Sequence, residues 1–477
     1  MASKDLCFTS ATELAARIKR HEVSPVEVID AVFSRIEQQQ GRLNAFAALC
    51  YDDARRSARV AEEKLLDKSQ LGVLHGVPFS VKDLVWTREL ATTFGSYIFR
   101  DNVPAEDAPS VQRLKQAGAI LIGKTTTPEF GHKALTDSPL FGITRNPWNT
   151  ERSPGGSSGG AAAAVAAGLG PLAIGTDGGG SVRIPAACAG IVGLKPTLGV
   201  VPHPQSPDLF GNLSYVGPMA RTVADAALML AVMAGPDAGD PHSYAQPPAP
   251  GTLLRAEPLL ASFKDSKIAW CPRLGNSLVD NEVLAAAESA VNLLVEAGCR
   301  VEEAAPQTGA SARIFHACYY SGFATRLDPY LEKYGHRLDA TLLDAVEKGK
   351  GLTAMDLQRA IYDRSRLFQQ VQQFFKQYDF LISPTLSAPA LPIDQNALDP
   401  IQVEGKTAGS MREAWYPYTH PFNLAGNPAI SIPCGRTQAN LPIGLQIVGP
   451  WHSDMSVLEL AACFEAVSPW ADDRPPD

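Results

Sequence analysis

The chain has 477 residues, enough for two or three average domains or for one large enzyme core. Hydrophobic residues make up 45% and charged residues 19%, the balance of a globular protein. The formal net charge of −8, with no basic run, argues against a nucleic-acid-binding surface, and no apolar run approaches the ~20 residues that span a bilayer.

In chain order, Ser10-x-x-Glu13 reads as a capping box that opens a helix to about Arg20. Ser24-Pro25-x-Glu27 is a second, with proline at the first helical position. Val26, Ile29, Phe33 and Ile36 follow at helical spacing, so that helix buries one face and serves as scaffold. Residues 52–66 form a charged amphipathic helix. Residues 79–85, in LHGVPFSVKDLV, read as a short, largely apolar strand that carries Lys82. Residues 107–117 predict a helix and 119–122 a buried strand; strands alternating with helices indicate an α/β core. The stretch 125–141, polar and aromatic by turns, then leads into the most distinctive part of the chain. It is read as pocket lining, against plain loop packing.

That part is PGGSSGGAAAAVAAGLGPLAIGTDGGGSVRIPAACAGIVGLKP, residues 154–196. Two glycine-flanked serines, Ser157 and Ser181, stand 24 positions apart, separated by a helix-forming run at 161–167 and a short apolar strand at 172–174. The order is loop, helix, strand, loop, which puts both serines at element ends, where backbone N–H groups are free to meet negative charge. Gly178, Gly179 and Gly180 precede Ser181 directly. Consecutive glycine N–H groups there would make an oxyanion hole beside a hydroxyl nucleophile; a structural turn or a phosphate cradle are the other readings of the same glycines. A lysine buried on a strand loses its proton more readily and then serves as a general base to a serine, so Lys82 is the candidate base, with an ion pair to its neighbour Asp83 as the alternative.

Beyond this stretch, residues 221–233 read as an apolar helix and 235–251 as a Pro- and Gly-rich surface loop. Residues 267–271 read as a strand and 281–297 as an amphipathic helix. Residues 310–375 are helical, broken at Gly349-Lys350-Gly351. Residues 380–384, 430–433 and 443–448 read as strands, which together with the earlier ones make one large sheet. Residues 471–477 are expected to fray. No repeat or linker divides the chain, so 1–477 is read as a single domain. The eight cysteines form no CxxC and the nine histidines no HExxH, so no metal or cofactor is expected. The scattered cysteines and the lack of a signal peptide point to the cytoplasm.

Several motifs now fall in one order. They are Val77-Pro78-x3-Lys82-Asp83, Gly123-Lys124-Thr125 through Glu129-Phe130, Phe141-Gly142, Asn146-Pro147-Trp148, and Gly155 through Gly160. Gly175-Thr176-Asp177-x-Gly179-Gly180-Ser181-x-Arg183-x-Pro185, Gly193 through Thr197, and Phe422-Asn423-x-Ala425-Gly426-x-Pro428-Ala429-Ile430-Ser431-x-Pro433 follow. In these the chain resembles the amidase signature family, densely over 24–233 and again over 380–450. The resemblance implies an α/β/α fold with one large mixed sheet covered by helices. It implies a small amide substrate and a catalytic set of Lys82, Ser157 and Ser181. Ser181 would be the acyl-accepting nucleophile, Ser157 the bridging serine after a cis peptide, and Lys82 the base relaying a proton through Ser157. Main-chain N–H groups around Gly178, Gly179 and Gly180 would hold the oxyanion. Ser158, Thr176, Asp177 and Arg183 would brace the loops, with Asp177 and Arg183 either paired or two unrelated surface charges. Gly178 and Ala161 depart from residues frequent in the family, without loss of a catalytic group. The excursion 303–377 lacks signature motifs and is read as a substrate lid, with His316, Tyr319, Tyr320 and Phe323 either in the pocket or in the core between helices. Alternative readings are the glutaminase subunit of a tRNA-dependent amidotransferase, an esterase, and a non-enzymatic ligand binder. Oligomeric state defaults to a homodimer.

Overall fold

In the computed structural model, residues 3–66, 71–243 and 260–477 are described. Eleven strands form one mixed sheet in the order Phe46–Leu49, Ile120–Thr125, Pro78–Lys82, Leu172–Asp177, Tyr215–Ala220, Val192–Lys195, Ala429–Arg436, Pro442–Val448, Phe380–Pro384, Lys267–Trp270 and Arg300–Glu303. Ile120–Thr125, Pro78–Lys82 and Leu172–Asp177 run parallel to one another, and Tyr215–Ala220 is antiparallel to the last of them.

The period-2 alternation of a strand decides which side chains meet the chemistry. Phe79, Val81, Leu172 and Ile174 join the main core, with the helices Val223–Met233 and Asp454–Val467. The intervening residues face the other way. Ala173 packs there with Ala161, Ala162 and Val165 of the Gly159–Ala166 helix and with Ala186 of the Arg183–Ala189 helix. Ser80 and Lys82 alternate with Phe79 and Val81, so Lys82 falls on the face that carries both serine loops.

Both N-terminal helices start where expected. Ser10 Oγ accepts from Glu13 N at the head of Ala11–Lys19, and the capping box of Ser24 and Glu27 is complete at the head of Pro25–Leu43. The Ala11–Lys19 helix is also held from a distance. Asp225 accepts from Ala11 N at 2.8 Å, Thr12 N at 2.9 Å and Thr12 Oγ1 at 2.9 Å. Asp225→Ala is expected to cost about 2–3 kcal/mol, since hydrogen bonds to a charged group are worth about 1.5–3 kcal/mol each and the orphaned N–H groups can partly recruit water. A lower urea midpoint with an unchanged slope is the expected reading.

Several boundaries differ from expectation: the strands read at 119–122, 172–174 and 430–433 run on to Thr125, Asp177 and Arg436, and three further differences have a clear physical cause. The 79–85 strand ends at Lys82 because the chain turns: Val85 N donates to Lys82 O at 3.0 Å, and the Asp83 carboxylate accepts from Thr93 N at 3.0 Å. Gly349 and Lys350 do not break a helix but close Ala340–Lys350, and the interruption falls at Gly351. Gly349 serves close packing instead, since a Cβ there would lie 2.7 Å from Ala324 Cβ of the neighbouring Ser311–Leu327 helix. The end of the chain is tied down rather than frayed: Arg35 pairs with Asp477 at 3.2 Å, Arg42 donates to Pro476 O at 3.0 Å, and Arg436 pairs with Asp473 at 2.7 Å. The expected 235–251 loop lies partly outside the described residues.

Candidate active site

Lys82 ends its strand fully buried, with 0% of its surface exposed. Its Nζ donates to Ser157 Oγ at 2.7 Å, Ser158 Oγ at 2.9 Å and Thr176 Oγ1 at 3.0 Å. Every partner is neutral. The alternative ion pair with Asp83 does not form, because adjacent strand residues point to opposite sides. Asp83 instead turns to Thr93 and lies 4.0 Å from Lys124. Burial holds the Lys82 ammonium well below the ordinary lysine value, and the charge of Asp177 opposes this only in part.

The Gly156–Ser157 peptide is cis. Ser157 Oγ also faces Gly131, where a Cβ would lie 3.1 Å from it. Gly131 has φ +69°, a conformation that glycine adopts without penalty. This contact brings the 125–141 stretch directly to the serine. Nothing in the sequence singled out Gly131, because it carries no chemistry of its own. Ser158 accepts from Thr176 N at 3.3 Å and donates to Thr176 O at 3.1 Å, which locks the serine loop to the strand.

Ser181 sits in the turn between the Leu172–Asp177 strand and the Arg183–Ala189 helix. Its carbonyl accepts from Ser158 N at 3.1 Å, so the two serine loops are joined through the main chain. Its hydroxyl is half-buried and makes no hydrogen bond to another described residue. The turn is shaped by Asp177, whose carboxylate accepts from Gly180 N at 2.5 Å and Val182 N at 3.2 Å.

Asp177 and Arg183 are a buried pair rather than surface charges. Arg183 Nε lies 3.0 Å from Asp177 Oδ2 and Nη2 lies 3.1 Å from Oδ1, a bidentate fork. The remaining guanidinium hydrogens go to Gln446 Oε1 at 2.7 Å, Asn423 Oδ1 at 2.6 Å and Thr419 O at 3.0 Å. Burial alone would raise the Asp177 pKa, but Arg183 outweighs it and holds the carboxyl far below the usual range. Arg183→Met is expected to cost about 3–5 kcal/mol, because it strands a buried carboxylate. The double variant Asp177→Asn, Arg183→Met is expected to recover part of that loss, read from urea midpoints.

Asn423 and Gln446 thus belong to the site's support. The motif around Asn423 marked a match without assigning it a role, and Gln446 had no signal. Of the aromatic candidates, Phe323 packs with Phe130, Leu327 and Leu342. His316 stacks on Tyr320 at 5.1 Å between ring centroids, and Tyr319 donates its hydroxyl to His132 O, next to Gly131.

The chain is similar to several known proteins over nearly its whole length. The Amidase family model matches residues 27–458. An acylamidase of Rhodococcus erythropolis is 41% identical over 479 residues, covering 100% of this chain and 99% of the relative. A glutamyl-tRNA(Gln) amidotransferase subunit of Symbiobacterium thermophilum is 34% identical, covering 97% of this chain and 98% of the relative. Among solved structures, a bacterial aryl acylamidase superposes with a TM-score of 0.89 at 28% identity, over 98% of this chain and 99% of that one. The peptide amidase of Stenotrophomonas maltophilia does so with a TM-score of 0.83 at 28% identity, over 98% of each chain. The chain belongs to the amidase signature family. It is a hydrolytic amidase. Among its described residues, no helix is long and apolar enough to cross a membrane.

Proposed function

We propose that this chain is an amidohydrolase acting without any partner protein on a small carboxamide, by way of an acyl-enzyme on Ser181. The observation that carries the reading is Lys82: a fully buried lysine with no carboxylate partner, 2.7 Å from the hydroxyl of Ser157.

Ser181 Oγ attacks the amide carbonyl carbon. Its proton passes to Ser157 Oγ as the Ser157 proton passes to neutral Lys82 Nζ. The tetrahedral oxyanion is received by main-chain N–H groups of the 178–181 turn. Gly180 N is already engaged by Asp177, so the donors are Gly178, Gly179 and Ser181, and Gly180 shapes the turn instead. One such donor is worth about 10²–10³-fold in rate. The C–N bond breaks as the relay returns the proton to the leaving nitrogen, which departs as ammonia or a neutral amine. Water then attacks the ester on Ser181, delivers its proton through the same relay, and releases the carboxylate. Ser158, Thr176, Asp177 and Arg183 hold the three groups in place. The same relay would cleave esters, whose alkoxides leave more readily. The excursion 303–377 forms the substrate-facing lid over a single domain, with its helix Ser311–Leu327 reaching the 125–141 stretch through Tyr319.

The glutaminase reading, in which the chain would work inside a tRNA-dependent amidotransferase, draws support from the amidotransferase relatives at 34% identity. Release of amine or ammonia from a panel of anilides, short amides and esters by the isolated chain separates the two. Turnover of panel members with no added protein is the expected result. Glutamine hydrolysis alone, rising when the other amidotransferase components are added, would overturn it.

A further inference from the structure

Arg412 presents a charge with no counter-charge. Its guanidinium carbon lies 4.0 Å from the ring centroid of Phe315, 5.3 Å from that of Tyr319 and 5.4 Å from that of Tyr416. Three rings thus fix the position of the cation. It makes no ion pair and no hydrogen bond with any other described residue. It shares this with Arg326, which lies over the Phe94 and Phe130 rings, but not with Arg183 or Lys348. Arg183 is fully paired, and Lys348, over the Tyr320 ring, lies 2.7 Å from Asp344.

Its place bears on the reaction. A Cβ at Gly179 would lie 3.2 Å from Arg412 Nη1 and 3.0 Å from Phe315 Cζ, so Arg412 abuts the turn that carries Ser181. Gly179 is itself fixed there, because its carbonyl accepts from Thr419 Oγ1 at 2.7 Å. Gly178, Ser181, Arg412, His316 and Tyr319 are all half-buried, although the residues behind them are buried, so this strip of the site opens to solvent. The nearby imidazoles do not compete for anions. Burial first, and Arg412 second, hold His316 at about 4 and His420 well below the ordinary imidazole range.

We infer that Arg412 is a specificity-determining residue that binds a carboxylate on the substrate, so that the amides taken in preference are monoamides of short dicarboxylic acids. The guanidinium fork matches a carboxylate bidentately, and a guanidinium already held by rings gives up little freedom on binding. A short spacer is inferred because Arg412 abuts Gly179, only two residues from Ser181 on the same turn; the two Cα atoms are at most about 7.6 Å apart. Two or three carbons between carboxylate and amide carbonyl fit that reach. The inference rests on the amidohydrolase reading for its choice of substrate, but its test is a binding measurement.

Calorimetric titration of Ser181→Ala with succinamate and with 4-methylpentanamide, its neutral isostere, provides that test, repeated in Ser181→Ala, Arg412→Met and Ser181→Ala, Arg412→Lys. Succinamate is expected to bind at least tenfold more tightly than the isostere. Arg412→Met is expected to reduce this preference to within threefold, and Arg412→Lys to keep part of it. Equal binding of the two ligands to Ser181→Ala, or a full preference surviving in Arg412→Met, would overturn the inference. If Arg412→Met does not fold, the two-ligand comparison in Ser181→Ala decides alone. A carboxylate preference in a protein that hydrolyses no amide would contradict the hydrolase reading and leave Arg412 standing. Turnover of amides with no such preference would do the reverse.

Discussion

Ser181→Ala is expected to lower kcat for amide hydrolysis by about 10⁴-fold or more, as removal of a covalent nucleophile does in other acyl-transfer enzymes. Of the three serines at the site, Ser181 is the one with a half-buried hydroxyl that bonds to no described residue and with main-chain N–H groups beside it. Ser157 and Ser158 are buried, and both accept from Lys82. Little stability should be lost, since the Ser181 side chain holds nothing in place. The loop contacts run through its carbonyl, which the substitution leaves intact. An unfolding midpoint that stays put while amine release collapses would therefore assign the loss to chemistry. Ser157→Ala should also be severely impaired, because it cuts the path between Ser181 and Lys82.

Lys82→Met separates function from stability in the opposite sense. A general base contributes about 10²–10⁴-fold, and kcat should fall by that range. The pH profile supplies a second reading. Only neutral Lys82 accepts a proton, so wild-type kcat/KM should rise with pH through a value well below the ordinary lysine pKa, and this acid limb should be absent from the residual activity of Lys82→Met. Stability follows the same shift. The folded pKa is lowered, so the unfolded chain binds the proton first as pH falls from about 10.4. Wild-type stability therefore falls relative to Lys82→Met between that pH and the folded pKa. Urea midpoints at pH 9 and pH 6 should show the variant gaining on the wild type at the lower pH. A wild type that gains on the variant as pH falls would mean that Lys82 is held charged in the fold.

Much of this site is legible in the sequence because its chemistry is local. Lys82 ends one strand, Thr176 and Asp177 end another, and both serines lie in glycine-rich turns beside them. The glycine-rich composition places both serines in turns, and the apolar run places Lys82 on a strand, although the 172–174 reading stops the other strand short of Thr176 and Asp177. The 380–384 reading matches the strand Phe380–Pro384, which follows the polar run at 376–379. What the sequence did not show arises from contacts between distant segments. Gly131 reaches Ser157 only because the chain folds back, and it does so by lacking a side chain. Gln446 completes the shell of Arg183 from 263 positions away. Arg412 is one more charged residue in its own segment. Its character comes from Phe315 and Tyr319, on a helix about a hundred positions earlier. The Lys82 strand is shorter than its sequence predicts for a related reason: apolar character continues through Leu84 and Val85, while the turn is set by Asp83 reaching Thr93.

The measurement that bears most directly on the central claim is the intact mass of the protein quenched during turnover of an anilide or an activated ester. Under the relay from Lys82 through Ser157, a fraction of the wild-type chain should gain the mass of the acyl group. Peptide mapping should place the adduct on Ser181, and Ser181→Ala should show none. An adduct on another residue, or anilide turnover persisting in Ser181→Ala, would contradict the assignment of Ser181 as nucleophile.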